Sequence, residues 1–298
     1  ITRDEDLTPN LHHAGGCGHA LQRCGPVWGV RVNAIALGGP ALHSGTTSAV
    51  VLTHRPGLLA LRQRDVEIPF RSLRVDRADY GVTVRGQSLR VDLVEHLFAA
   101  IAGLAIVSDL RVDVYGSEIP LLDGGALRFS RALRQLGFAS GEPIVTVARA
   151  ATFRWGESVY RFSPFPTVRI VVNVQFDHAL IQGQRACWQG DPQDFLERIA
   201  PARTFGFRRD AEQLQAVGRA RAVDLRSVVV LDENGTCLSD PPPSPDECVR
   251  HKLLDLLGDL MLWGGVPTGH VEVTRPGHRA THSVMGEAWA RGVVVDAR

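Results

Sequence analysis

The segment Glu247-Cys-Val-Arg-His-Lys-Leu-Leu-Asp-Leu-Leu-Gly-Asp259 combines apolar residues at helical spacing with ionisable side chains. It predicts a helix over residues 246–263. His251 and Asp255 are four residues apart, so their side chains lie on one face of that helix, and Glu247 and Asp259 continue the same stripe. Because leucines surround this stripe, its charges must either reach solvent or be satisfied within a cleft. A His–Asp pair at this spacing is also typical of an ordinary helix surface.

Lys252, inside the same segment, is the one lysine among 33 basic residues. Elsewhere the chain uses arginine wherever a solvated cation is sufficient. A lysine offers a compact ammonium group with an adjustable pKa, whereas arginine offers a planar fork. The isolated lysine therefore indicates a site, although a chance survivor in an arginine-rich sequence is the alternative.

Length and composition limit the class of protein. The chain has 298 residues, of which 44% are hydrophobic, and a net charge of +1. These values predict a globular protein with room for two domains and do not favour nucleic acid as a partner. The sequence contains no apolar run of the roughly 18 residues that a membrane span needs, and its first residues lack the order of a signal peptide. We therefore expect a cytoplasmic protein with no transmembrane segment.

The cysteines predict free thiols rather than a disulfide framework, because they are five in number and scattered. Residues 1–26 lack apolar periodicity and are expected to form a flexible leader, with order beginning near Val27. Cys17 and Cys24 lie in this leader near three histidines, a group that could bind a metal, although its spacing matches no common zinc pattern.

The hydrophobic pattern runs through the same sequence of elements twice. Strand-like alternation in the first third is followed by a buried helix at Val91–Leu104 and an amphipathic helix at Ala126–Leu136. After a linker at 137–143 the strand pattern resumes, and the helix over 246–263 follows. We therefore predict two halves, at 27–140 and 141–298, in each of which strands are followed by helices.

Glu95 and His96 are adjacent in the apolar helix of the first half. Burying both is costly unless an ion or a hydrogen-bond partner compensates them. His96, His251 and Asp255 together would supply two nitrogen ligands and one oxygen ligand to a catalytic zinc ion, leaving one position open. Glu95 could then act as the general base for a water molecule. Two unrelated histidines in two cores are the alternative, and the same ligand set also suits Fe(II) or Co(II).

The segment Arg275-Pro-Gly-His-Arg-Ala-Thr-His282 is expected to be a loop that approaches a ligand closely. An imidazolium there could protonate a leaving amine, and a carboxylate such as Asp259 would raise its pKa. The spacing does not decide whether His278 or His282 has this role, and an ordinary surface histidine is the alternative.

Several motifs, in this order, resemble those of the UDP-3-O-acyl-N-acetylglucosamine deacetylases, the zinc amidases of lipid A biosynthesis. The resemblance covers about Val27 to Val284 and is specific, because independent motifs recur in family order. The motifs are Ala41-Leu-His-Ser-Gly45, Val94-Glu-His-Leu-Phe-Ala-Ala-Ile-Ala-Gly103, Glu118-Ile-Pro-Leu-Leu-Asp-Gly124, Phe176-Asp-His178, Ala202-Arg-Thr-Phe-Gly-Phe207, Arg250-His-Lys-Leu-Leu-Asp-Leu-Leu-Gly-Asp259 and Gly277-His278.

The resemblance implies an α+β fold of two similar halves, each a sheet layered with helices, with the active site between them. It also implies hydrolysis of the N-acetyl group of a UDP-linked N-acetylglucosamine, releasing acetate and the free amine, with one Zn²⁺ per chain in a monomer. It assigns a role to each site residue. The implied zinc ligands are His96, His251 and Asp255; the base is Glu95; the acid is His278, oriented by Asp259; the oxyanion donor is Thr204; and the substrate-binding residues are Lys252 and Phe205.

Two departures from the family pattern concern the substrate. In the family, an insert at about 203–229 receives the acyl chain, but here its part at 218–226 carries three arginines, which suit a hydrocarbon lining poorly. Pro40 also changes the approach to the first motif by removing a backbone donor. A divergent deacetylase of another N-acetyl sugar, with or without an acyl chain, is therefore an alternative, and a non-catalytic relative is a further one.

Overall fold

The computed structural model describes residues 33–176, 178–232 and 234–297. Helices and several sheets are mixed along the chain, which confirms the predicted α+β class. The leader at 1–26, with Cys17, Cys24 and their neighbouring histidines, lies outside these residues, as does Asp177 of one family-like motif.

The strands and helices alternate in short groups along the chain. The strands are β1 (Ala34–Pro40), β2 (Thr47–His54), β3 (Ala60–Gln63), β4 (Val66–Pro69), β5 (Arg74–Arg77), β6 (Thr83–Gly86), β7 (Leu89–Val91), β8 (Leu110–Tyr115), β9 (Val145–Val147), β10 (Ala151–Trp155), β11 (Ser158–Ser163), β12 (Val168–Asn173), β13 (Arg185–Trp188), β14 (Thr204–Phe207), β15 (Val228–Leu231), β16 (Gly269–Thr274) and β17 (Val294–Asp296). The helices are α1 (Glu95–Gly103), α2 (Leu127–Gln135), α3 (Pro192–Asp194), α4 (Arg208–Ala216), α5 (Glu247–Met261) and α6 (His278–Ala290), with a 3₁₀ turn at Phe70–Ser72 and a π turn at Phe195–Ile199.

The two five-stranded sheets have the same topology. The first has the order β1-β2-β8-β3-β4 and the second the order β10-β11-β16-β12-β13. In both, the central strand comes last in sequence, pairs antiparallel with one hairpin and pairs parallel with the other. The parallel register places Leu61 opposite Val112 in the first sheet and Ile170 opposite Val271 in the second.

Helices α1 and α5 pack against each other, and their apolar residues belong to one continuous core. All nine residues of α1 are buried. The helix begins at Glu95, four residues later than the apolar pattern predicted. Strand β7 ends at Val91, and Leu93 then adopts a left-handed conformation with φ of 60°, which delays the helix start. This turn places Glu95 and His96 in the first turn of α1.

The expectation of a loop over 275–282 is wrong from His278 onward, because His278 is the first residue of α6. Pro276 and Gly277 end the preceding segment, and Gly277 is the N-cap residue. Ala280, Val284 and Ala288 then recur every four residues and are buried, which is the apolar stripe of a helix. The glycine and proline of this segment therefore mark a helix start.

Strand β14, helix α4 and strand β15 follow one another, and the two strands pair in parallel. Val228 and Val230 of β15 pack with Leu93 and Leu121 in a small apolar cluster separate from the main core. In the part of the chain that the structure describes, no helix combines the length and apolar composition needed to cross a bilayer. Cys187, Cys237 and Cys248 are free thiols, as predicted.

Candidate active site

A cavity of about 600 Å³ lies between α1, α5, the start of α6 and strand β14. It brings together residues more than 180 positions apart in sequence, from Glu95 to His278. Of the residues proposed from the sequence, those that line it are Glu95, His96, Thr204, Phe205, Lys252, Asp255 and His278.

His96, His251 and Asp255 converge within the described part of the chain. Each offers one ligand atom, and these atoms all lie within 4.8 Å of one another. The Nε2 atoms of His251 and His96 are 3.3 and 3.9 Å from Oδ1 of Asp255. All three residues are buried. The sequence proposed all three residues as ligands, and the packing of α1 against α5 brings His96 to the His251–Asp255 pair.

The ring of His96 has the neutral form that a metal ion requires, and the ring of His251 is held in place by a backbone carbonyl. Burial lowers the pKa of His96 to about 3, so its ring is neutral. Nδ1 of His251 donates to the backbone carbonyl of Ala202 at 3.0 Å, which turns Nε2 toward Asp255.

The Asp255 carboxylate is ionised. Burial acts to raise its pKa, but Lys252 and His251 outweigh burial and hold that pKa well below its usual range. Two nitrogen lone pairs and one carboxylate oxygen in a buried site therefore fit a metal ion by the chemistry of the donor set.

Glu95 lies beside the three candidate ligands and is chemically different from Asp255. Burial raises its pKa to about 7, although His278 acts to lower that pKa. One carboxylate oxygen, Oε2, accepts the backbone N–H of Val82 at 2.9 Å. Gly81 permits this approach, because a Cβ atom there would lie 2.9 Å from the other oxygen, Oε1. The result is a carboxyl group held in place that exchanges a proton near neutral pH.

His278 is held by Asp259. Its Nδ1 atom donates to Oδ1 and Oδ2 of Asp259 at 2.8 and 3.0 Å, which turns Nε2 toward Asp255, 3.9 Å away. Burial acts to lower the pKa of His278, but Asp259 and Asp255 outweigh it and raise that pKa to about 9. Burial likewise acts to raise the pKa of Asp259, but His278 and His282 lower it to about 2. The pair is therefore an imidazolium beside a carboxylate.

The structure distinguishes the two histidines that the spacing left open. His278 lines the cavity, whereas His282 does not and lies behind Asp259, 8% exposed. Nε2 of His282 is 3.5 Å from Oδ1 of Asp259. His278 is therefore the histidine that can contact a ligand in the cavity.

Lys252 faces the cavity and pairs with Asp255. Its Nζ atom is 2.7 Å from Oδ2 of Asp255 and lies 5.6 Å from the centre of the Phe205 ring. Burial acts to lower the pKa of Lys252, but Asp255 outweighs burial and raises it, so the ammonium stays charged. The inference drawn from the isolated lysine thus coincides with a position at the site.

Glu247 does not belong to the site, although it continues the stripe of His251 and Asp255. Its carboxylate pairs with Arg203 at 2.8 Å and accepts the backbone N–H groups of Arg203 and Ser244. This pair connects the start of α5 to the residue before Thr204. The sequence did not predict the ion pair of Arg203 with Glu247, because no spacing rule connects two residues so far apart in the chain.

The arginines at 218–226 do not line the cavity, whereas Ala220 and Val223 do. Arg219 lies over the ring of Tyr80 at 5.9 Å, and Arg221 and Arg226 are exposed. Ala220 and Val223 form an apolar part of the cavity lining, called the apolar branch below, together with Leu42, Leu93, Val228 and Val230. The charges that argued against a hydrocarbon lining therefore face elsewhere.

Metal-dependent hydrolases work with imidazole nitrogens, an ionised carboxylate and a separate carboxyl group that exchanges a proton near pH 7. That is the class of protein that this fold and site define.

Comparison with known proteins specifies the family. Residues 32–289 match the family described as UDP-3-O-acyl N-acetylglycosamine deacetylase, and the chain belongs to this family. The UDP-3-O-acyl-N-acetylglucosamine deacetylase of Myxococcus xanthus is 35% identical over 261 residues, which are 84% of this chain and 82% of that protein. Proteins of the same name from Pseudomonas entomophila and an Anaeromyxobacter species are 32% and 33% identical, over 85% and 87% of this chain and 87% and 85% of their own lengths.

Proposed function

We propose that this protein hydrolyses the N-acetyl group of a UDP-3-O-acyl-N-acetylglucosamine in lipid A biosynthesis, releasing acetate and the free glucosamine amine. The observation that carries the proposal is the convergence of His96, His251 and Asp255 at a cavity that Glu95 and His278 also line. Family membership supports the substrate class, because the relatives carry that name.

The three converging residues would hold one Zn²⁺ per chain. When bound, the ion would supply Lewis-acid activation of a water molecule and of the amide carbonyl. The donor set of two imidazoles and one carboxylate supports zinc, and metal analysis of the purified protein distinguishes it from iron or cobalt.

The chain's own groups supply the proton transfers. Glu95, with its pKa near 7, accepts a proton from the attacking water as the oxygen adds to the acetyl carbon. His278, protonated and oriented by Asp259, gives a proton to the amine nitrogen as the C–N bond breaks. Thr204 lines the cavity, and its hydroxyl serves as an oxyanion donor.

Lys252 and Phe205 hold the substrate beside these groups. The ammonium of Lys252 suits an anionic or hydroxyl-rich substrate, and it is kept charged by Asp255. The apolar branch formed by Leu93, Val223 and Val230 suits an acyl chain attached to the sugar. We also propose that the protein is a monomer and acts in the cytoplasm, as expected from the sequence.

The test is acetate release by the zinc-loaded protein from UDP-3-O-acyl-N-acetylglucosamine, in parallel with UDP-N-acetylglucosamine. We expect strong preference for the acylated compound. Equal release from the unacylated sugar would favour a divergent deacetylase. No release from either compound, with the metal bound, would contradict the proposal.

A further inference from the structure

A second histidine contacts the carboxylate that holds His278. His278 and His282 are four residues apart on α6, so both face Asp259 of α5. Oδ1 of Asp259 is 2.8 Å from Nδ1 of His278 and 3.5 Å from Nε2 of His282. Asp259 is only 2% exposed, so its charge depends on these neighbouring donors rather than on bulk water.

Trp263 fixes the form of the second histidine. Its indole N–H donates to Nδ1 of His282 at 3.1 Å. An indole nitrogen can only donate, so Nδ1 of His282 must carry a lone pair. The proton of the neutral ring is therefore on Nε2, the atom that faces Asp259.

The packing of α6 against the end of α5 holds Trp263 in place. Trp263 follows the last turn of α5, and its ring lies 6.5 Å from that of His282. Gly286 leaves room for the indole, because a Cβ atom there would lie 3.3 Å from the ring. Neither Trp263 nor His282 lines the cavity, so neither contacts a molecule bound there.

We propose that Trp263 and His282 are positioning residues for His278. Trp263 holds His282 in the tautomer that presents Nε2–H to Asp259. This N–H makes no hydrogen bond with the residues that the structure describes, and its nitrogen lies 3.5 Å from Oδ1, so its attraction for that oxygen is electrostatic, and the attraction limits rotation of the carboxylate. Asp259 in turn keeps the His278 ring oriented with Nε2 toward the cavity. The catalytic part of this inference rests on the proposed function, in which His278 gives a proton to the leaving amine.

The tautomer is tested without turnover. Nitrogen-15 histidine labelling and long-range proton–nitrogen spectra report which ring nitrogen of His282 carries the proton. In the parent we expect the ring proton of His282 on Nε2. In Trp263→Phe, which keeps an aromatic ring but removes the indole N–H donor, we expect a mixture of the two tautomers. A parent ring protonated on Nδ1, or an unchanged tautomer in Trp263→Phe, would overturn the proposal.

Two substitutions of His282 separate positioning from packing. The amide of glutamine reaches the place of Nε2 and can donate to Asp259, whereas that of asparagine reaches only the place of Nδ1. We expect His282→Asn to lower kcat about tenfold with little change in KM, and His282→Gln to recover most of that loss. The same substitution at His270, which lies on β16 outside the cavity lining, is the matched control.

The effect must also act through His278. In a His278→Ala background, His282→Asn should lower kcat no further, since the two changes interrupt one chain of contacts. An equal further loss would show an independent role and overturn the inference. Exchange of the His278 Nδ1 proton should be faster in His282→Asn than in His282→Gln, and equal exchange in both would contradict the proposal. If the parent releases no acetate, the proposed function fails, while the exchange and tautomer measurements still test the positioning.

Discussion

The backbone carbonyl oxygen of Glu95 lies against the Cα atom of Gly258, so α1 and α5 meet there backbone to backbone. A Cβ atom on residue 258 would lie 2.1 Å from that oxygen, closer than two such atoms can approach. Gly258 stands between Asp255 and Asp259 in sequence. This contact therefore sets the distance between the helix that carries Glu95 and the helix that carries both aspartates.

Gly258→Ala should separate the two helices. We expect a loss of about 3 kcal/mol in the free energy of unfolding, because backbone cannot yield as a side-chain end can. Metal affinity should fall as well, since His96 and Asp255 lie on the two separated helices. Urea unfolding and metal titration measure these effects. Gly38→Ala, where the nearest atom would be 3.5 Å away, is the control, and equal stability of both variants would contradict the role of the contact.

Glu95→Gln should keep the metal and lose the reaction. The amide has nearly the same shape as the carboxylate but cannot accept the proton that the raised pKa of Glu95 equips it to take. We expect a fall in kcat on the order of 10² to 10⁴, with about one metal ion per chain retained. Acetate release and metal analysis are the measurements. Activity within about tenfold of the parent would exclude Glu95 as the base.

Lys252→Arg should weaken the use of substrate although it conserves the charge. The ammonium occupies a confined place between Asp255 and the face of Phe205, where a planar guanidinium cannot make the same contacts. We expect kcat/KM to fall by about tenfold or more. Arg154→Lys on β10, where the side chain is exposed, controls for changing the cation type. An unchanged kcat/KM would mean that the isolated lysine has no special role.

Glu247→Gln should destabilise the fold at neutral pH and much less in acid. Burial acts to raise the pKa of Glu247, but Arg203 outweighs it and holds that pKa below the ordinary value of 4.5. A depressed folded-state pKa gives stability that is present above pH 4.5 and is lost as the pH falls through the folded-state value.

We expect the substitution to cost about 3 kcal/mol at pH 7, since it leaves Arg203 buried without its carboxylate. The difference between the variant and the parent should narrow below about pH 4. Urea unfolding as a function of pH measures both. Glu67→Gln removes an exposed partner of Arg55 and should change stability little. A difference for Glu247→Gln that is the same at pH 7 and pH 3 would contradict the assignment.

His251→Ala should lose metal binding through its ligand nitrogen, and chelation of the parent should abolish acetate release. Both nitrogens of the His251 ring have a role: Nδ1 is bound to the Ala202 carbonyl, which orients the ring, and Nε2 faces Asp255 as the candidate ligand atom. Mutation of one ligand at such a site typically weakens metal binding more than the 10- to 100-fold seen for residues behind the ligands. Restoration of activity by zinc, and not by buffer alone, completes the test. Full activity in the chelated protein would show that the three residues hold no catalytic ion.

Local patterns in the sequence predicted helices α1, α2 and α5 and named the candidate site residues. His251 and Asp255 were paired correctly because residues four apart lie on one face of any regular helix. Glu95 and His96 were noticed because they are adjacent ionisable residues in an apolar helix. The start of α1 was missed because a left-handed residue, Leu93, precedes it, and apolar pattern carries no information about such a turn. Helix α6 was missed because its first residues look like a turn, and its apolar stripe begins only at Ala280.

The sequence by itself determined the class of fold, the candidate ligands, the isolated lysine and the family. These depend on spacing, composition and motifs, all of which are local along the chain. Only the tertiary structure decided that His278 faces the cavity while His282 stands behind Asp259, that Glu247 pairs with Arg203, and that the arginines of the insert face away from the apolar branch. These three placements depend on how elements distant in sequence pack together, because that packing determines which side chains are buried next to one another.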